Sequence, residues 1–124
     1  MVKIKSYTDL EQSRKLAEIL PLESADMYYY DNLPVPKVGY SVEVEKLYNK
    51  TNIDYIPCWS LTALLKYLSE INPQVYTPTL FPSEGKWILH FVEYGHGIVC
   101  EASCDNSIDA CYEIILKLNE LKLI

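Results

Sequence analysis

Hydrophobic residues recur every three to four positions in three segments of the chain, which is the spacing of a helix that buries one face. The segments predict helices over 8–20, 61–71 and 107–121. Thr8 opens the first segment, and Glu11 follows three residues later. This pair predicts a capping box, in which each side chain satisfies the backbone N–H of the other residue.

Strand-like composition and alternation take over between the helical segments. Strands are predicted over 26–30, 38–44, 86–94 and 97–104, with at most an edge strand over 75–80 inside a proline-rich loop. The two longest strands form a predicted hairpin that turns at residues 94–97. Gly95 can supply the positive φ of a two-residue turn there.

The register of this hairpin follows from side-chain alternation, because a slip of one residue would move a whole strand to the wrong face. An even-length loop predicts the cross-strand pairs Phe91 with Cys100, Leu89 with Ala102 and Trp87 with Cys104. That register gathers the apolar side chains, Ile98 among them, on one face. It places His90 opposite Glu101 on the other face.

These elements predict an α+β fold: a small, mainly antiparallel sheet whose apolar face is covered by the second and third helices, with the first helix at one side. With 124 residues, of which 49% are hydrophobic, the chain has the size and composition of a single domain, 1–124. One shared core is expected, and its predicted members are Trp87, Phe91, Leu64, Leu68, Ile115 and Leu118.

The balance of charge argues against one class of partner. Seventeen acidic residues against eleven basic ones give a net charge of −6, and Arg14 is the one arginine. Because nucleic-acid binding needs clustered cations, no nucleic-acid partner is expected.

The apolar runs are too short to span a bilayer, so no membrane partner is expected. Four cysteines and a start without an apolar signal core predict the cytoplasm.

Three cysteines and a histidine come nearest to a metal site: His96, Cys100, Cys104 and Cys111. Zinc ligands converge on one point, whereas Cys100 and Cys104 are separated by roughly 13 Å along an extended strand. The pattern therefore favours core thiols, and no metal or cofactor is predicted. Cys58 precedes the second helix, where the helix dipole can activate a thiol. No local catalytic motif accompanies it, so packing is favoured there too.

His90 opposite Glu101 is the pair best placed for acid–base chemistry. Cross-strand pairs of this kind are also ordinary surface partners. The sequence contains no dinucleotide-binding, Walker, zinc-protease or nucleophile-elbow motif. A small hydrolase or transferase that uses His90 and Glu101, or Cys58, is therefore the alternative to a non-enzymatic protein.

Tyrosine dominates the aromatic residues, with eleven tyrosines against two tryptophans and two phenylalanines. The tyrosines at 28–30 are consecutive, and on a strand they cannot all face one core. Since tyrosine is enriched at interfaces, the candidate binding residues are Tyr28, Tyr30 and Tyr40, with His90 and Glu101 added. Exposed side chains without a partner are the alternative. Any homodimer is predicted to pair through the proline-free strand 26–30 as a sheet edge.

The chain resembles a family of small proteins from gut Bacteroidales genomes and their mobile elements. The similar segments are IPCWSLTALL at 56–65, DNSIDAC at 105–111 with its continuation to 118, and the opening over 7–21. Ser107 stands where the family has proline. That family has no assigned activity, so the resemblance implies an accessory protein and supplies no catalytic residue.

The leading interpretation is a non-enzymatic accessory protein of the cytoplasm that binds a protein partner. An acidic inhibitor of a DNA-binding enzyme is a further alternative, suggested by the charge of −6 and by the mobile-element resemblance. Such mimicry needs carboxylates in rows spaced like phosphates. The acids in this chain are scattered instead: Glu43, Glu45, Glu101, Asp105 and Asp109.

Overall fold

A computed structural model describes residues 5–30, 32–36 and 55–124. Within these ranges the chain forms three α-helices and two three-stranded antiparallel sheets, so the fold is α+β, as predicted. The chain divides into two units, the N-terminal unit Tyr7–Ala63 and the C-terminal unit formed by Met1–Ser6 with Leu64–Ile124. The single domain over 1–124 stays a prediction.

The N-terminal unit is built on a short sheet. Its elements are helix α1 (Leu10–Ala17), a 3-10 turn (Leu22–Ser24), and strands β1 (Met27–Tyr30), β2 (Leu33–Pro36) and β3 (Tyr55–Cys58). The strand order is β2-β1-β3, so β1 lies in the centre and pairs on both sides. The predicted strand over 26–30 is confirmed, but its predicted role as a sheet edge is wrong. The predicted strand over 38–44 lies outside the described residues.

Helix α1 begins two residues later than predicted, because Thr8 has another role. The Thr8 N–H donates to the Trp59 carbonyl at 2.9 Å, and its hydroxyl accepts the Trp59 N–H at 3.1 Å. The capping box therefore uses Asp9, whose carboxylate accepts the Gln12 N–H at 2.8 Å. The Gln12 side chain accepts the Asp9 N–H at 3.2 Å, which completes the box. The predicted Thr8–Glu11 box is wrong by one residue.

The C-terminal unit contains the second sheet. Helix α2 (Leu61–Ser69) leads into it from the N-terminal unit, followed by strands β4 (Tyr76–Ser83), β5 (Lys86–Glu93) and β6 (Gly97–Cys104) and helix α3 (Ser107–Glu120). The strand order is β4-β5-β6, and α3 packs against β5 and β6. One sheet was predicted, whereas the described residues form two sheets of three strands each. Tyr29, Ile56 and Cys58 are buried together on β1 and β3.

Strand β4 runs through a region predicted to be mostly loop. Its prolines, Pro78 and Pro82, lie opposite Phe91 and Trp87 of β5. A hydrogen-bonded pair needs an N–H on both residues, so both prolines occupy non-hydrogen-bonded positions and their nitrogens face away from β5. The strand therefore keeps its hydrogen bonds to β5 along eight residues despite the prolines.

The β5–β6 register is confirmed at all three predicted pairs, Trp87 with Cys104, Leu89 with Ala102 and Phe91 with Cys100. The loop is not even in length, because Glu93 pairs with Gly97 and leaves three residues between them. A bulge shifts the register after Phe91, so Ile98 lies opposite Val92. Ile98 is 55% exposed, and its predicted place on the apolar face is wrong.

Burial is confirmed for five of the six predicted core residues, while the single core that they were predicted to share stays a prediction. Those that are fully buried are Leu64, Leu68, Phe91, Ile115 and Leu118. Trp87 is only partly buried, so its predicted place in the core is wrong. It lies near the Glu84-Gly85 turn at the start of β5, opposite Pro82 near the end of β4. No helix in the described parts of the chain combines the length and the hydrophobicity needed to cross a membrane.

Candidate functional site

The consecutive tyrosines of β1 divide between the two faces of the N-terminal sheet. Tyr29 is buried with Ile56 and Cys58. Tyr28 and Tyr30 lie on the opposite face, because side chains alternate along a strand. Tyr30 is 48% exposed and pairs directly with Leu33, which is 66% exposed.

Val35 extends this exposed face along β2, opposite Tyr28, and both side chains are half-buried. We call the four residues Tyr28, Tyr30, Leu33 and Val35 the tyrosine face. Two of the four are aromatic, and none is charged. The face therefore combines apolar area with the hydrogen-bonding tips of two phenols.

A tight turn positions the tip of the tyrosine face. Tyr30 and Leu33 close a two-residue connection, and Asn32 within it has a φ of 64°. Asparagine tolerates this left-handed backbone better than most residues, so it permits the short connection. The turn sets the Tyr30 ring directly beside the Leu33 side chain across the strand pair.

The buried tyrosine anchors the strand from below. The Tyr29 hydroxyl donates to the Thr8 carbonyl at 2.7 Å, and its ring meets Tyr7 edge-on with centroids 6.4 Å apart. Burial raises the pKa of the Tyr29 hydroxyl, and the neighbouring Cys58 adds to the shift. Tyr29 therefore has a structural role, while Tyr28 and Tyr30 lie on the other face of the strand.

The other candidate pair lies on the C-terminal sheet. His90 Nε2 and Glu101 Oε2 are 2.6 Å apart on neighbouring strands, as the register predicts. Phe81 meets the His90 ring edge-on at 5.2 Å, and Thr79 lies opposite His90 on β4. Among the described residues, no hydroxyl or thiol hydrogen-bonds to the His90 ring. The pair is therefore an acid–base couple without an attached nucleophile.

The alternative nucleophile, Cys58, is fully buried. Its Sγ lies 3.5 Å from the Thr8 carbonyl and 3.7 Å from the Thr8 hydroxyl. Burial raises the pKa of the thiol, although hydrogen bonds with Thr8 and Ser13 oppose the shift. A protonated thiol without solvent access is typical of a packed core cysteine rather than a nucleophile.

The remaining cysteines are free and lie around α3. Burial raises the pKa of Cys104 to about 11 and that of Cys111 to about 12. His96 is exposed in the β5–β6 loop, with its Nε2 3.7 Å from Glu93. Nowhere in the described ranges do three or more potential ligands come together as a metal site.

Three of the acidic residues considered for DNA mimicry lie within the described part of the chain. Glu101 contacts His90, Asp105 contacts Lys86, and Asp109 accepts from Lys5 at 2.9 Å. Each of these carboxylates thus has a basic neighbour, unlike the phosphates of a duplex. Glu43 and Glu45 lie outside the described residues, as does the candidate binding residue Tyr40.

The structure brings together Tyr28 with Tyr30, and His90 with Glu101, on different sheets. Sequence reasoning missed Leu33 and Val35. The signal that could have found them is the Asp31-Asn32 pair, which is typical of a two-residue turn and sets Leu33 opposite Tyr30.

Comparisons with protein-family models, with curated proteins and with solved structures gave no match. The resemblance to the Bacteroidales family therefore stays a prediction.

Proposed function

We propose that this protein is a non-enzymatic accessory protein of the cytoplasm that binds a partner protein through the tyrosine face. The observation that carries the proposal is the pair of exposed apolar side chains, Tyr30 and Leu33, at the tip of the β1–β2 hairpin. The four cysteines, all free, support a reducing compartment.

The chemistry of the tyrosine face suits protein recognition. Tyrosine supplies large contact area at a low cost in side-chain entropy, and it is enriched among the residues that dominate binding energy. Tyr28 and Tyr30 sit on a strand bonded on both sides, so the backbone beneath them is held in place before binding. Such preorganisation lowers the entropic cost of association.

The partner contacts side chains on this face and not the strand edge. Both edges of β1 are already paired, so an added strand has no backbone groups to bind there. A charge of −6 on each chain also opposes self-association and favours a partner with basic residues near its apolar contact.

The test is affinity capture from host lysate with the wild-type chain and with Tyr30→Ala combined with Leu33→Ser. Tyr94→Ala is the matched control, because Tyr94 is a tyrosine of similar exposure, at 55%, in the other hairpin. We expect one partner to be retained by wild type and by Tyr94→Ala and to be lost from the double variant. Equal recovery of the same partner by all three proteins would contradict the proposal.

A hydrolase or transferase is the second candidate, favoured by the 2.6 Å contact between His90 and Glu101. A panel of ester and phosphoester substrates tests it, with His90→Gln as the variant. Turnover that disappears in His90→Gln would replace the binding proposal with an enzymatic one. Turnover that is absent, or unchanged in the variant, would remove the enzymatic candidate.

A further inference from the structure

The two sheets differ in how their edges are protected. Within the described residues, the edge strands are β2 and β3 in one sheet and β4 and β6 in the other. Three of these strands contain prolines paired with a neighbouring residue: Pro34 and Pro36 in β2, Pro57 in β3, and Pro78 and Pro82 in β4. Each such proline lacks a donor on the open side, which discourages strand addition. β6, with eight residues, contains no proline.

The open groups of β6 follow from the pairing of β5. Since Phe91 lies at a non-hydrogen-bonded position opposite Pro78, its N–H and C=O bond across to Cys100 of β6. Backbone groups alternate in direction along a strand, so the N–H and C=O groups of Ala102 point toward β5. Those of Glu101 and Ser103 point to the open side. Both of these residues are exposed. No described residue makes a backbone-to-backbone hydrogen bond on this side of β6.

One side chain already donates a hydrogen bond to this edge. The Lys117 ammonium, on α3, donates to the backbone carbonyl of Glu101. This contact demonstrates that the carbonyl faces away from β5 and can take a donor from outside the sheet. An added strand therefore has to displace the Lys117 ammonium from this carbonyl.

The charge at the edge distinguishes between two occupants. A second copy paired about Glu101 would set two carboxylates opposite each other, and in any register it would bring together two chains of charge −6. An extended segment with lysine or arginine opposite Glu101 would set opposite charges there. The Glu101 side chain is 56% exposed, so a neighbouring strand can reach it.

We propose that the outer edge of β6 is a strand-addition site for an extended, basic peptide segment of a partner protein. The segment pairs with the backbone of Glu101 and Ser103 as a fourth strand. One of its N–H groups replaces the Lys117 ammonium at the Glu101 carbonyl, and a basic side chain lies opposite the Glu101 carboxylate. The site is independent of the tyrosine face and does not rest on the function proposed for it.

The probe is a synthetic peptide that alternates threonine with lysine, added to the full chain. Amide hydrogen exchange is read at Glu101 and Ser103, with Ala102 as the internal control. We expect the peptide to slow exchange at Glu101 and Ser103 by at least about ten-fold and to leave Ala102 unchanged. A peptide N-methylated at alternate residues, or one with glutamate in place of lysine, should lose this effect.

Two pairs of variants sharpen the test. Ser103→Pro removes an outward donor in the way that Pro78 does in β4, and it should abolish peptide binding, whereas Ser103→Ala should not. Lys117→Met frees the Glu101 carbonyl and should tighten binding several-fold, whereas Lys66→Met, at an exposed helix position, should not.

Three results would overturn the proposal. The first is unchanged exchange at Glu101 and Ser103 with saturating peptide. The second is equal binding of the N-methylated peptide, a comparison that needs no variant to fold. The third is a dimer, seen by sedimentation without peptide, that protects the same two amides.

Discussion

Replacing Tyr29 should destabilise the protein far more than replacing either neighbour. The Tyr29 side chain is 6% exposed, and its hydroxyl donates to the Thr8 carbonyl at 2.7 Å. Tyr29→Phe removes this bond, for which a loss of about 0.5–1.5 kcal/mol in the free energy of unfolding is typical. Ser13 Oγ and Cys58 Sγ still contact the same carbonyl at 3.5 Å, so we expect about 1 kcal/mol.

Tyr29→Ala also removes the ring from the core, and by analogy with other buried aromatics it should cost about 3–5 kcal/mol. Tyr30→Ala removes a ring that is 48% exposed and should cost less than about 1 kcal/mol. The consecutive tyrosines thus separate into one residue needed for stability and two that contribute little to it.

The assay is urea unfolding followed by the fluorescence of Trp59, in a Trp87→Phe background that removes the other tryptophan. Trp59 is fully buried in the same unit as Tyr29, and its indole N–H donates to Ser24 at 2.9 Å. It therefore reports on the N-terminal unit. If Tyr30→Ala proved as destabilising as Tyr29→Ala, the assignment of faces along β1 would be refuted.

Three smaller predictions concern the C-terminal unit. Burial raises the pKa of Cys111 from 9.0 to about 12, so above about pH 9 the unfolded chain loses a proton that the folded chain keeps, and stability falls as the pH rises. At pH 10 this loss is about 1.4 kcal/mol, and urea unfolding should show Cys111→Ala losing correspondingly less than wild type between pH 8 and pH 10. A double-mutant cycle on His90→Gln and Glu101→Gln should give a coupling below about 1 kcal/mol, and a larger value would mark a pair that does more than join two strands. Gly95→Ala should cost about 1 kcal/mol in thermal unfolding because Gly95 has a φ of 81°, and a neutral effect would contradict that backbone conformation.

Local sequence patterns predicted the positions of the helices and strands better than they predicted which strands pair. The β5–β6 register followed from side-chain alternation, because a register shift of one residue would have exposed Leu89 and Phe91. The bulge that exposes Ile98 leaves no such pattern in the sequence. The eight-residue length of β4 was missed because proline argues against a strand unless its open side is known.

Only part of the candidate site could be predicted from the sequence. Alternation along 28–30 assigns one tyrosine to the core and its neighbours to the other face, and this holds for any strand. The pairing of β1 with β3 could not be predicted in the same way, because the two strands are far apart in the sequence. Leu33 joins the tyrosine face through the β1–β2 turn, for which the Asp31-Asn32 pair is the local signal.

Site-specific photo-crosslinking tests the central claim most directly. A photoreactive phenylalanine replaces Tyr30 in one protein and Tyr94, the exposed tyrosine of the other hairpin, in a second. Irradiation in host cells should join position 30 to one protein partner and leave position 94 without that adduct. No adduct at position 30, or the same adducts at both positions, would contradict a binding surface built on the tyrosine face.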